Sequence, residues 1–114
     1  MRLEKSVAVA VEFAEKVALA RVRFKNAKLS QMDMDWYESK WKTFSNSAEV
    51  DHMLNTLTDA LSLYWDVDQE LKLDPTNLKL FLNRAEMTRQ ISKIRHKLFL
   101  LASDANTNKA SDGI

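Results

Sequence analysis

Apolar residues return every three or four positions over most of this chain, which is the period of one face of a helix. From Arg2 to Lys28 they are Val7, Ala10, Phe13, Ala14, Val17, Ala20 and Phe24, with Glu4, Glu12, Glu15, Lys16 and Arg23 mainly off that face. Val7 to Val11 alternate as a strand would. The helical period continues on both sides of them without a turn former, so the segment reads as helix. Ser30 to Ser47 is the least periodic stretch; Tyr37, Trp41 and Phe44 predict a short aromatic helix from about Asp35 to Thr43, with an aspartate near its N-cap. Asn46 followed by Glu49 suggests a capping pair opening a third helix, Glu49 to Leu73, in which Val50, Met53, Leu57, Ala60, Tyr64, Val67 and Leu71 keep the period. Asp74-Pro75 punctuates the chain, with proline favoured at the first position of a new helix. The last helix is expected from Thr76 to about Ser103, with Leu78, Phe81, Leu82, Ala85, Ile91, Ile94, Leu98 and Leu101 facing inward.

Composition narrows the fold further. The 114 residues hold one glycine and one proline, where average usage would supply about 8 and about 6. A chain so poor in turn formers does not build sandwiches, barrels or phosphate-cradling glycine loops. The expected fold is all-α: an elongated bundle of three long helices plus one short aromatic helix, running up-down-up, over residues 1–103. Residues 104–114 read as a polar, disordered tail. Val9, Val11, Leu63, Trp65, Phe99 and Leu100 lie off the main stripes, and such broad apolar coverage suggests that a second chain completes the core.

The chain has no cysteine, which removes disulfides, thiolate metal sites and cysteine nucleophiles. Arg2 and Lys5 ahead of Val7 to Val11 superficially resemble a signal peptide, but Glu12, Glu15 and Lys16 interrupt the apolar run. No run approaches the roughly 18 residues of a membrane span, and the reading is a cytoplasmic protein.

Net charge is only +1, yet it is unevenly distributed. Residues 1–29 carry +4, residues 30–73 carry −6 and residues 74–102 carry +4. If the first and last helices run parallel, Arg21, Arg23, Lys25 and Lys28 meet Lys93, Arg95, His96 and Lys97 at one end of the bundle. Such a cluster suits a phosphate backbone or an acidic protein. The plainer reading is that these cations offset helix dipoles and pair with Glu49 and Asp51. Trp36 and Trp41 in the connection would stack on bases or, more ordinarily, anchor a core or an interface.

Catalytic and metal chemistry find little support. Neither His52 nor His96 has a glutamate three residues before it, as the helical di-metal pattern requires, and nothing nominates a nucleophile with its base. Asp66, Asp68 and Glu70 read as a solvated acidic stripe. Arg89 to His96, an arginine followed by six residues and a histidine on a helix, resembles the motif of HEPN-type ribonucleases. Gln90 stands where that family usually has asparagine, and Lys97 to Leu100 replace its small and aromatic pair. The resemblance covers eight residues and implies dimerisation around an RNA cleft, with Arg89 stabilising phosphate charge and His96 moving a proton.

The expectation that follows is a non-enzymatic helical protein working by protein–protein association, as adaptor, inhibitor or small subunit, with a protein partner or a second copy. Its expected contact residues are Met32, Met34, Trp36, Trp41, Phe99 and Leu100. Nucleic-acid binding through Arg21, Arg23, Lys25, Lys28, Lys93, Arg95 and Lys97 is the alternative. No cofactor, metal, membrane or small-molecule substrate is indicated.

Overall fold

The computed structural model describes the backbone of residues 2–45 and 47–112 and the side chains of residues 8–45 and 47–103. Four helices follow one another: α1 (Arg2–Lys25), α2 (Gln31–Phe44), α3 (Ala48–Leu73) and α4 (Leu78–Asp112). No strand occurs among the described residues.

Local chemistry sets each boundary. After α1, Ala27 takes the left-handed conformation (φ 59°). The Lys28 N–H then donates to the Arg23 carbonyl at 2.7 Å and the Ala27 N–H to the Phe24 carbonyl at 3.1 Å, a Schellman ending built without glycine. Ser30 caps α2 by accepting from the Asp33 N–H at 3.2 Å, so that helix starts four residues before the expected aspartate. Ser47 caps α3, its Oγ accepting from the Val50 N–H at 3.1 Å. The expected cap, Asn46, lies outside the described residues. Asp74 closes α3, Pro75 sits in the turn, and Asn77 caps α4 by accepting from the Leu80 N–H at 3.1 Å. Proline therefore does not occupy the first helical position, because asparagine supplies the better cap two residues later. The backbone of α4 stays helical through residues 104–112, the segment whose composition suggested a tail.

Side-chain pairs fix the directions of the helices. The Arg21 guanidinium donates to Asn55 at 3.0 Å and Thr58 at 3.5 Å, and Lys25 to Ser62 at 3.0 Å. Sequence separations of 34 and 37 that stay nearly constant along the pair mean that α1 and α3 run parallel. Arg21 also holds Glu38, while Phe13 meets Phe44 with ring centroids 5.0 Å apart, so α2 runs back along α1. The turn at Asp74 sends α4 antiparallel to both α1 and α3, and Arg95 pairs with Glu15 accordingly. The order is thus up-down-up-down, and the expected up-down-up course with α1 parallel to α4 is corrected. At 14 residues, about 21 Å, α2 is long enough to return the chain along α1 rather than serve as a connector.

The core gathers where all four helices meet. Phe13, Ala14, Val17 and Ala18 of α1, Trp41 of α2, Val50, Met53, Leu54 and Leu57 of α3 and Leu98 of α4 form one buried cluster. Ala14 and Ala18 let α1 approach closely, and Leu54, Leu57 and Leu98 are almost wholly enclosed, each contributing about 1.5–3 kcal/mol of transfer free energy. The molecule extends 58 × 31 × 22 Å. At one end α3 and α4 continue as a two-helix hairpin beyond the end of α1, level with Ser62.

Candidate interaction surface

The hairpin beyond α1 has a thin interior. Between Leu63 and Ala85 only Leu71 is buried. Leu80, Arg84 and Met87 of α4 are half-buried, and Arg84 donates to Asp68 of α3 at 2.9 Å across the pair. These α4 positions continue the core register set lower down by Ile91, Ile94 and Leu98, since steps of seven from Leu98 and Ile94 lead back to Ile91, Arg84, Met87 and Leu80.

The other apolar residues of this half of α4 therefore fall on a different face. Leu78 is 67% exposed, Phe81 52% and Leu82 58%, and Ala85 is exposed as well. All four were expected inside, and the structure corrects that assignment: one helix carries two apolar stripes, and only the second meets the rest of the chain. The spacing i, i+3, i+4, i+7 makes the first stripe continuous along about two turns. Two heptads further on, the stripe positions Leu78, Phe81, Leu82 and Ala85 become Ser92, Arg95, His96 and Phe99, all exposed, so the stripe continues the outer face of α4. Beside it a groove of about 400 Å³ is lined by Asp68, Leu71, Lys72, Pro75, Phe81 and Arg84. The Arg84 guanidinium lies 5.8 Å from the Phe81 ring centroid, and Leu73 at the hairpin tip is 89% exposed.

The tryptophan-rich connection divides into core and surface. Trp41 is buried and donates from Nε1 to Asp51 at 3.0 Å, while Ser45 donates to the same carboxylate oxygen at 2.5 Å. Met34 is buried too. Both were expected as contact residues, and both are instead spent on packing within the chain, because α2 lies along α1 rather than looping into solvent. Met32 and Trp36, four apart on α2, are exposed, with Trp36 edge-on to Tyr37 at 5.1 Å. Phe99 and Leu100 are exposed on α4.

The basic residues do not converge. With α1 antiparallel to α4, the last turn of α1 lies level with Ser62, whereas Lys93, Arg95 and Lys97 lie level with the region of Glu15. Arg21 is held by both oxygens of Glu38, at 2.6 and 3.0 Å, Lys25 by Ser62, and Arg95 by Glu15. Arg23, Lys28, Lys93 and Lys97 are exposed on separate parts of the surface. The eight-cation end expected from a parallel α1 and α4 is corrected by the helix directions.

Arg89 and His96 stand seven residues apart on the exposed side of α4. Arg89 pairs with Glu86, one turn away. Hydrogen bonds from Gln90 and Arg89, with the Arg89 charge, hold the Glu86 carboxyl below the usual glutamate range. Among the described residues no three His, Asp or Glu side chains are grouped to hold a metal ion, and no helix is long and apolar enough to cross a membrane.

The first α4 stripe is the feature that sequence reasoning misassigned. Its signal was available: Leu78, Phe81, Leu82 and Ala85 are out of heptad register with Ile91, Ile94 and Leu98, while Leu80 and Met87 are in it. Comparison of the chain with protein-family models, curated proteins and solved structures gives no match. Function is therefore argued from this surface alone.

Proposed function

We propose that this protein is a non-enzymatic helical module that works by protein–protein association, with the distal α3–α4 hairpin as its contact face. The observation that carries the reading is the exposed stripe of Leu78, Phe81, Leu82 and Ala85. Scattered apolar residues on a surface need no explanation, but a continuous helical stripe beside an open groove has the pattern of a helix face that packs against another helix. Among the described residues nothing covers it, since it lies on the side of α4 away from α3. The mixed charges around it, Asp68, Lys72, Arg84 and Glu86, form the polar rim that such contacts carry.

The test is photo-crosslinking from position 81 in the cell type that expresses the chain. A covalent adduct to protein, lost when Leu78→Glu and Leu82→Glu are introduced together, is the expected result. Absence of any protein adduct at position 81, with the chain folded and expressed, overturns the proposal.

A further inference from the structure

The outer face of α4 changes character along its length. Residues 18 apart on a helix return to one line after five turns, so Leu78, Phe81 and Leu82 stand in line with His96, Phe99 and Leu100. Phe99 and Leu100 are exposed, as the first stripe is. Between these two apolar ends the same face holds Arg89, Ser92, Lys93 and His96, all exposed. From Met87 to Ser103 the helix carries four Lys or Arg, one His and no acid. Read from Leu78 to Leu100, over about 33 Å, the face is apolar, then basic, then apolar.

Resting on the association reading above, we infer that the partner is an acidic amphipathic helix of another protein, apolar at both ends of its contact face and rich in carboxylates at the middle. Charge sets the sign. Lys93 and His96 have no ion-pair partner among the described residues. Arg89 reaches Glu86 through Nη2, and its guanidinium keeps further donors for a second carboxylate. Asp68, the acid nearest the first stripe, is already held by Arg84 and Lys72. A second α4 would set like charge against like charge, which disfavours a copy of this helix as the occupant. The order along the face argues against other anions. On a bilayer, all residues of one helix face sit at one depth, so Arg89 and His96 would enter the acyl boundary with Leu82 and Phe99. A nucleic-acid backbone would match the cations and leave Leu78, Leu82 and Leu100 in water. A helix can vary along its length as α4 does, and Ala85 and Ser92, small and seven apart on this face, let its axis come close.

The probe is a synthetic peptide of about 22 residues, about 33 Å as a helix, with leucines at both ends of one face and glutamates at its middle. Fluorescence anisotropy with the purified full-length chain should give a micromolar dissociation constant that rises as salt screens the basic centre. A peptide with lysines in place of the glutamates should bind at least tenfold more weakly. Arg89→Glu with Lys93→Glu should invert that preference, and Leu82→Glu should weaken both peptides, with circular dichroism keeping the helical signal in every variant. In the cell, crosslinks from positions 81 and 92 should fall on one helix of one protein, the second beside its acidic residues. Equal binding of the two peptides overturns the assignment. So does capture of the chain by phosphatidylserine vesicles or a single-stranded oligonucleotide in preference to the acidic peptide, or a dimer in sedimentation that Leu82→Glu abolishes. If position 81 then still crosslinks to a protein, only the chemistry of the partner fails; if it crosslinks to nothing, the association reading fails with it.

Discussion

The two halves of α4 are made of similar residues and behave differently. From Ile91 to Ala102 the helix lies against α1 and α3, and Leu98 and Ala102 are closed off from water. From Leu78 to Ala85 the helix has α3 alone beside it, and Leu78, Phe81 and Leu82 are exposed. The difference is not hydrophobicity but the face of the helix and the number of neighbours that face meets. Two helices enclose a seam one residue wide, whereas a third helix turns that seam into a core: at positions in one register, Leu80 and Met87 are half-buried where α3 alone lies alongside and Leu98 is enclosed where α1 joins it. In the distal half even the seam is partly polar, with Arg84 and Asp68 paired in it.

Truncation on the two sides of that divide should have very different costs. Leu57→Ala, in the four-helix core, is expected to lose about 2–5 kcal/mol in chemical denaturation, because the enclosed site cannot collapse around the missing atoms. Trp41→Ala should lose about 3–5 kcal/mol by the same measurement, as a core residue would. Trp36→Ala, on the exposed side of α2, should fall well below it, and equal effects would remove the distinction between the two rings. Leu82→Ala in dilute solution should change stability by no more than about 0.5 kcal/mol, the ordinary range for a surface site. A larger loss would mean that Leu82 packs within its own chain.

Two smaller effects sharpen the local account. Ala27→Gly should raise stability by up to about 1 kcal/mol, since glycine takes the left-handed conformation without the steric cost that a Cβ brings. Glu86 should titrate below an ordinary glutamate in a carboxyl NMR titration. A carboxyl whose folded pKa is depressed contributes stability above its unfolded pKa and loses it as pH falls through the folded value, so the Glu86 contribution disappears on acidification. Gln90→Ala should move its midpoint back toward the usual range.

Much of this architecture was legible before the structure. The 3.6-residue period and the near absence of glycine and proline gave four helices, and the Asp74-Pro75 break gave the α3–α4 turn. What was not legible was direction. Periodicity is the same whichever way a helix points, and the return of the chain along α1 depends on the length of α2. Its start was set by Ser30, while the expectation rested on Asp35. That one misjudged boundary reversed the relation of α1 to α3 and scattered the basic residues expected to meet. Burial of Trp41 and Met34 followed from the same error, because a helix lying on α1 buries a face that a loop would expose. The apolar stripe at Leu78 to Ala85 was read as core because apolar periodicity reports a face that wants a neighbour and does not say whether the neighbour belongs to the same chain.

The central claim is that the distal hairpin is incomplete in a single chain. Native-state amide hydrogen exchange on the Leu82→Glu variant at low concentration tests it most directly, residue by residue along α4. The account predicts that amides from Leu82 to Thr88 open at a clearly lower free energy than those from Ile94 to Leu101, the latter exchanging only with global unfolding. Equal protection along the whole helix would contradict it, by showing that α3 and α4 need no further partner to hold the hairpin closed.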